Sequence, residues 1–556
     1  PYKSIKYNPD LKAWGLDFDR WRPSNAEDLY WCEYEQNEGQ RVSKFGLLVF
    51  DGFRPSETSL NLEVYPVGIS KAQYVRPGIY DVDPDAGLDV FYNPSQALTY
   101  QLTVNPDFAQ IEADPFAFNI SRYETYFNER RPFFTEGNEI FIPSGRERNS
   151  GFYRPLELFY SRRIGKVLPD GSTVPVNLGT KAFGRIGGWE YGGFLAFTGE
   201  RTYAEDTVRA AEPRALFGSA RIKKQILENS SIGVLVVTKK AGSNVRGVID
   251  IDGVFRSSTW QLAYQLARSI DNSSGSFAGS AGFTYFGSDL MSLTRLRAID
   301  RDFDVQQVGF VPWKGTLEFV SIAGPRWYFK EGAVSSIILY GGPALYYEDA
   351  DAYTDHSAVL GFNMQFRSNW GYEINVSAGR SRDAGVGYTS YEATFSSWFG
   401  ISPRWNGSLW GGYSRTYNFA REYMAFYSWM GFDVEWKVLS GLDIGTSYNM
   451  WIEGNPGGSI EDITYNARPF LSLTPFNDLN LRLYVDNVYV RSSDRLQRVI
   501  FGFLFSYNFL PKSWLYLAIN EMHDRSEQPK GGGTVLPDRL HVADRAAVLK
   551  VKYLYV

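Results

Sequence analysis

Three groups of carboxylates are the residues in this sequence whose type and spacing first suggest chemistry. Asp107, Glu112 and Asp114 lie close together, and two carboxyl groups at a fixed separation can act as the acid and the base or nucleophile of a glycosidase. The same stretch carries Arg122, Arg130 and Arg131 with the further acids Glu124 and Glu136. Turn capping and ion pairing account for these acids more simply, so no catalytic residue is assigned and no enzyme is expected. A second run, Asp81, Asp83, Asp85, Gly87 and Asp89, has something of a calcium loop. Its glycine falls one place late, and the twelfth position is Tyr92 rather than Glu. A solvated turn is the expectation there. Glu348, Asp349, Asp351 and Asp355 form a third acidic stretch, expected to be a hydrated loop rather than a divalent-ion site bridging lipopolysaccharide.

The remaining candidates for chemistry are sparse. A lone Cys32, expected to pack beside Trp31, and the scattered His356, His523 and His541 exclude a disulfide framework and a Cys/His metal site. No nucleophile motif accompanies those histidines, and Gly531–Gly533 reads as loop flexibility rather than a phosphate cradle. No metal and no cofactor is expected. With 57 basic against 62 acidic residues the net charge is −5, which excludes bulk phosphate attraction and hence a polybasic nucleic-acid binder.

The elements that must position these residues are strands. The chain has 556 residues, 15 Trp, 37 Tyr, 39 Phe and 53 Gly, and aromatics make up 16% of it. No apolar run approaches the roughly 18 residues of a transmembrane helix. The chain opens at Pro1 without a signal peptide, as expected of a mature product. From Asp478 onward Leu479, Leu481, Leu483 and Val485 alternate with Asn480, Arg482, Tyr484 and Asp486. The same period of two places Ile463, Tyr465, Ala467, Leu471 and Leu473 on one face, and Leu442, Ile444, Thr446, Tyr448, Met450 and Ile452 on another. Runs this long match the ~9–11 residues that cross a bilayer at a tilt.

Short turns are expected at 367–369, 400–403, 439–441, 475–477 and 510–512. Longer polar connections are expected at 381–385, 415–423, 454–459, 491–494 and 523–543. Short turns on one side and long loops on the other is outer-membrane barrel topology, and it puts the C-terminus in the periplasm. Trp370, Trp398, Phe399, Trp405 and Trp514 beside the short turns read as an interfacial girdle. Strand-like runs also occur at 59–67, 88–92 and 98–104, for a total of roughly 22–26 strands. A soluble sandwich or propeller would need neither the strand length nor the loop asymmetry. A lumen that wide cannot be filled by wall side chains, so it is plugged or it is a pore.

One stretch, 105–165, breaks the period-two pattern. Asp114 before Pro115 has the form of a helix start, and Phe116, Ile120, Tyr123 and Phe127 then recur at helical spacing, with Pro132 ending the run. A short amphipathic helix of this kind cannot sit in the lipid-facing wall. The expectation is a plug helix in the lumen or at the periplasmic mouth, with Arg122, Arg130 and Arg131 paired to Asp107, Glu112, Glu124 or Glu136.

The run TVNPDFAQIEADPFAFNISRYETYFNERRPFFTEGNEIF, followed by LFYSRRIG and preceded near the start by KSIKYNPDLKAWGLDFDRW, resembles a Bacteroidota-type family of outer-membrane β-barrel proteins of unknown function. Longer members of that family carry an N-terminal domain similar to family-9 carbohydrate-binding modules, which has no counterpart in this sequence. The resemblance implies an outer-membrane location and an association with carbohydrate, and it supplies no catalytic residue. The final LKVKYLYV departs from the terminal aromatic usual in barrels, since Tyr555 falls one residue early.

The sequence thus predicts an all-β fold, a large antiparallel transmembrane β-barrel with a lumenal or periplasmic plug segment. Residues 1–104 form N-terminal strands and a periplasmic or lumenal portion, partly barrel wall. Residues 105–165 form the plug-like segment and 166–556 the main barrel. The expected function is a plugged or gated pore or transporter for glycans or other large solutes. A non-conducting docking subunit of an outer-membrane assembly is the alternative, and a barrel-embedded carbohydrate-active enzyme comes last. The expected partners are outer-membrane lipid and lipopolysaccharide, a lipoprotein or second barrel, and a glycan. A transporter should line a continuous path with polar groups and aromatic stacking faces, whereas an enzyme needs a confined carboxylate pair.

Overall fold

The computed structural model describes residues 12–22, 27–34, 44–52, 61–76, 79–95, 97–106, 118–145, 152–170, 172–205, 208–227, 229–272, 274–402, 404–525, 528–530, 533–535 and 539–555. Twenty-four strands close into one barrel. They are β1 (Asn61–Arg76), β2 (Ile79–Ser95), β3 (Leu98–Val104), β4 (Val176–Ile186), β5 (Trp189–Thr198), β6 (Ala215–Ile226), β7 (Ser230–Ala241) and β8 (Asn244–Arg256). Next come β9 (Trp260–Asp271), β10 (Phe277–Phe286), β11 (Leu290–Ile299), β12 (Thr316–Tyr328), β13 (Val334–Glu348), β14 (Tyr353–Phe366), β15 (Trp370–Asp383) and β16 (Val386–Ser402). The last eight are β17 (Trp405–Asn418), β18 (Tyr423–Leu439), β19 (Leu442–Gly454), β20 (Ile460–Phe476), β21 (Leu479–Val490), β22 (Arg495–Leu510), β23 (Ser513–Asp524) and β24 (His541–Lys552). Each strand pairs antiparallel with the next, and β24 pairs with β1, Lys552 opposite Val67, to close the ring.

Closure satisfies every strand edge, which is the condition for crossing a bilayer with strands. The two faces differ in the sense that lipid outside and water inside require. On β8, Ile249 and Ile251 are 41% and 52% exposed on the outer face while Asp250 and Asp252 are fully buried on the inner one. The register Leu471 opposite Leu483 and Ser472 opposite Arg482 keeps the predicted faces of β20 and β21 together.

The two rims also differ. Tight connections join β14 to β15, β18 to β19, β20 to β21 and β22 to β23, and β24 ends at that same rim. The opposite rim carries the long connections at 105–175, 199–214, 300–315 and 525–540. Not every predicted loop is long. The 381–385 stretch contracts to a two-residue turn, because β15 runs to Asp383 and β16 begins at Val386, with Ala384 and Gly385 at positive φ. The 415–423 loop likewise shortens, since β17 continues to Asn418.

Further readings of the sequence need correction. The acidic run is no turn: Asp81, Asp83, Asp85 and Asp89 lie on β2, paired with Gln73, Lys71, Ile69 and Tyr65 of β1, and so share the lumenal face. Trp370, Phe399 and Trp405 face outward as a girdle should, Trp370 stacking on Phe366 at 3.9 Å and Trp405 on Trp436 at 5.1 Å. Trp398 and Trp514, by their register, face the lumen instead. Before the barrel, Ala13–Leu16 pairs with Gly46–Val49 and Asp19–Arg22 with Glu27–Tyr30, and the Cys32 sulfur accepts a hydrogen bond from the Gly46 amide at 3.2 Å.

The predicted plug helix is the largest correction. Asp114 and Phe116 lie outside the described residues, but Ile120, Tyr123 and Phe127 belong to a non-helical stretch, 118–131. From Tyr123 to Arg131 exposure alternates with a period of two, Tyr123, Thr125, Phe127, Glu129 and Arg131 being the more covered. Pro132 begins a single helical turn, Pro132–Thr135, rather than ending a helix. The irregular segment also runs on past 165, since the wall resumes only at Val176.

Candidate functional site

Both ends of the 105–175 segment leave the wall at the long-loop rim, where the Asn105 amide hydrogen-bonds to the Asn177 carbonyl at 2.8 Å. From there the segment reaches the inner wall at successive depths. The Lys181 ammonium on β4 donates to the carbonyls of Phe133 and Glu136. Ser144 reaches toward the short-turn rim and donates its amide to Asp252 Oδ1 at 2.9 Å. On the way back, the Gln265 side chain brackets Leu156, accepting from its N–H at 2.7 Å and donating to its carbonyl at 3.3 Å. Lys166 then meets Glu212 of the Val208–Glu212 strand at 2.9 Å, back at the long-loop rim.

Beneath these bonds lies an apolar core inside a barrel. Phe133, Phe134, Phe141, Leu156, Leu158 and Ile164 of the segment pack on Phe194, Ala196, Phe217, Leu235, Val237, Val248, Ala267 and Ala278 of β5 through β10. Phe303, Val305, Val308 and Val311 of the 300–315 connection close it from above. One buried ion pair lies beside it, and the neighbouring Asp250 accepts from the Gln265 amide at 3.2 Å. Arg221 and Asp252 form a salt bridge with no exposed surface on either side chain, and the Ser144 contact uses the same carboxylate.

At the long-loop mouth Arg122, Glu124 and Arg131 are bonded, but to partners other than those expected from the sequence. Arg122 pairs with Glu348 of β13 and lies over the Phe419 ring at 4.9 Å. Tyr123 donates to Glu348 Oε1 at 2.9 Å, and burial pushes its hydroxyl pKa up, which keeps it a donor. Glu124 holds Arg163 in a two-pronged contact of 2.7 and 3.0 Å. Arg131 pairs with Glu129, a residue the sequence reading passed over, and donates to the Ile164 and Ser161 carbonyls at 2.6 and 2.7 Å. Burial opposes the Glu129 charge, but Arg131 and the Ser161 hydroxyl outweigh it and hold the carboxyl below the usual glutamate range. Arg130 is exposed, and Glu136 contributes its backbone carbonyl to Lys181. Asp107 and Glu112 lie outside the described residues. A cavity of about 360 Å³ opens between Arg122, Tyr123 and Arg154 of the segment and Arg297, Glu318 and Tyr346 of the wall.

Among the described residues no group of three His, Cys, Asp or Glu could hold a metal. Glu348 of the third acidic stretch is committed to Arg122 and Tyr123, while Asp351 and Asp355 accept from the Gly385 and Arg382 amides at 2.9 Å each. The carboxylates thus mostly fix loops and the inserted segment.

Among the described residues the rest of the wall has no comparable cover. The described segment touches it at the mouth, where the Phe419 amide donates to the Ile120 carbonyl at 3.1 Å and Phe118 stacks on Tyr427 and Trp451 at 6.1 and 5.2 Å. Below that contact the inner face of β14 through β22 carries Asn363, Glu373, Asn375, Asn449, Asn466 and Arg468 among large rings. A closed barrel with an apolar outer face and a polar inner one is an outer-membrane barrel.

A family described only as a domain of unknown function (DUF5916) matches residues 58–177, from β1 through the inserted segment to the start of β4. No curated protein matches the chain. Among solved structures, the ferric enterobactin receptor PfeA of Pseudomonas aeruginosa is 8% identical, with 89% of this chain and 82% of that one covered at a TM-score of 0.45. The FrpB iron transporter from Neisseria meningitidis is 8% identical over 89% and 82% at 0.42. The copper transporter OprC is 11% identical over 89% and 80% at 0.41. These likenesses carry no inference about what this chain binds.

Proposed function

We propose that the protein is a plugged pore or gated transporter of the outer membrane that passes large solutes, glycans foremost, along the uncovered arc of its lumen. The observation that carries this reading is the one-sided filling of the barrel. The described part of the 105–175 segment is bonded to β4 through β13, and the described residues leave the polar, ring-studded wall opposite it uncovered below the mouth. In this reading the short-turn rim and the C-terminus are periplasmic, so the segment folds inward from the outer surface. Residues 118–124, which bridge the mouth, are the part placed to gate. The carbohydrate association of the resembled family favours glycans over other large solutes.

The Asn105–Asn177 contact provides the test, because β3 and β4 are already neighbours and a short turn can replace 106–175. In planar bilayers the native protein should give small steady currents. The excised barrel, if heat-modifiable mobility shows it folded, should give much larger ones. Equal conductance from a folded excised barrel, or silence from both, would remove the pore reading.

One feature favours the alternative of a docking subunit. An apolar trough of about 1190 Å³ lies on the outer face of β8 through β12, lined by Ile249, Ile251, Leu266, Phe277, Leu296 and Leu317. A native mass measured after extraction in mild detergent separates the two readings: a stoichiometric second protein supports the subunit, a lone chain the pore.

A further inference from the structure

The lumenal rings of the uncovered arc are arranged as a stair. Trp398 on β16 lies opposite Ser408 of β17, and Trp410 on β17 lies opposite Ser396 of β16 and Gly431 of β18. Trp429 on β18 lies opposite Gly412 of β17 and Trp451 of β19, and Tyr427 stands two residues nearer the mouth. From Trp398 to Trp410 to Trp429, each ring sits one strand over and two residues closer to the long-loop rim than the last. Diagonal neighbours of this kind are about 7–8 Å apart. Tyr427 stacks on Trp429 at 5.4 Å, and Phe118 lies parallel to Tyr427 within 5° and to Trp451 within 15°. The ring-bearing positions therefore step from near the short-turn rim to the mouth, with ring-on-ring contacts at the upper end from Trp429 to Phe118.

Three of the rings lie flat because the wall beneath them is glycine. Trp398 covers Gly371, Trp410 covers Gly431 and Trp429 covers Gly412, so closely that a Cβ on any of these glycines would overlap the indole. A ring pressed onto backbone presents its other face to the lumen, and all of these rings are only half-buried. Rings on the outer face of the barrel meet lipid, where they cost nothing. Inward rings hold apolar surface in water, an arrangement that membrane seating does not require.

We infer that this stair is a binding track for the pyranose rings of a linear, uncharged oligosaccharide, and that Phe118 occupies its uppermost stacking place until a sugar displaces it. A pyranose offers an apolar face of C–H groups and a rim of hydroxyls. The electron-rich face of an indole attracts the first. The rim meets Ser396, Ser414, Asp433, Ser447 and Asn449, which share the lumenal face with the rings and can accept or donate. With Glu392, Asp433 and Glu435 on that face, an anionic glycan is disfavoured. The seated Phe118 shows that the top of the track accepts a flat ring.

The inference rests on the pore reading only for passage along the track, so binding and conduction are measured separately. Titration calorimetry of the purified full chain in detergent, with maltohexaose and cellohexaose as probes, should show binding of at least one. Trp429→Leu still covers Gly412 but offers no flat face, and it should weaken that binding roughly tenfold or more, while Trp429→Phe should keep most of it. Phe118→Ala should tighten it severalfold. Bilayer currents from the same preparations report conduction. Binding without current would sustain the track and sink the pore. Current with no binding of either sugar, or equal binding by the Leu and Phe variants, would overturn the track and leave the pore standing.

Discussion

The two arcs of the inner wall are built by the same alternation and differ in what stands on it. On β5 through β10 the lumenal positions toward the long-loop rim include Phe194, Ala196, Phe217, Leu235, Val237, Val248, Ala267 and Ala278. On β15 through β20 the corresponding face carries Glu373, Asn375, Glu392, Asp433, Asn449 and Asn466, with indoles between them. Under the inserted segment apolar residues pack beside buried, bonded polar groups such as Lys181, Arg221, Asp252 and Gln265, whereas the other arc sets half-buried rings among polar groups. The covered arc behaves as the core of a soluble domain enclosed by a membrane wall, with its buried polar groups bonded to the segment and to one another.

This contrast can be broken most severely at Arg221. Arg221→Met leaves the Asp252 carboxylate buried without its partner and should cost about 3–5 kcal/mol in urea unfolding from vesicles. Adding Asp252→Asn should return much of that loss, and a single variant as stable as the native protein would mean that water reaches the pair. On the opposite arc the outer face should be the sensitive one. Leu481→Arg should cost about 2–4 kcal/mol if Leu481 sits near the midplane, and Arg482→Leu far less. The reverse order would show that the register of β21 is displaced by one residue.

Smaller effects sharpen the comparison. Gln265→Leu leaves the Leu156 N–H and carbonyl unpaired beside the segment, for a loss of about 1–3 kcal/mol. Asn449→Ala on the uncovered arc should stay within about 0.5 kcal/mol. Similar losses at both sites would erase the distinction between the arcs. The smallest effect concerns acid. The pKa of Glu129 is depressed in the folded protein, so its contribution is full above the ordinary glutamate value of about 4.3 and is lost as pH falls through the lower, folded value. Protection of the backbone amides of 127–131, 133 and 134, taken relative to their intrinsic exchange rates at each pH, should fall on acidification across that window, and Glu129→Gln should flatten the dependence.

The barrel was legible before any coordinates because its cause is local. Strands that separate lipid from water must change character at every residue, so Leu479 through Asp486 reveal their two faces on their own. The aromatic side chains were harder to place. Trp398 and Trp405 both flank one short turn and look alike in sequence, yet one enters the lumen and the other joins the girdle. Only the register across β16 and β17 separates them. The acidic residues of β2 were misread for a related reason: inward Asp residues on a strand mimic the spacing of a loop when the intervening residues include Pro84 and Ala86.

The conformation of the inserted segment lay beyond reach of the sequence. Phe116, Ile120, Tyr123 and Phe127 fit a helical face, and a helix would satisfy its own backbone groups. In the barrel, part of that satisfaction comes from outside: Phe419 donates to the Ile120 carbonyl and the Tyr160 hydroxyl bonds both backbone groups of Phe127. These partners come from far along the chain, so no local spacing announces them. Sequence alone determined the strands, their two faces, the unequal rims and the need to fill a wide lumen, because two solvents act on every second residue. Tertiary structure decided where the filling goes, which arc it leaves open and which rings line that arc, because those depend on groups that meet only when the barrel closes.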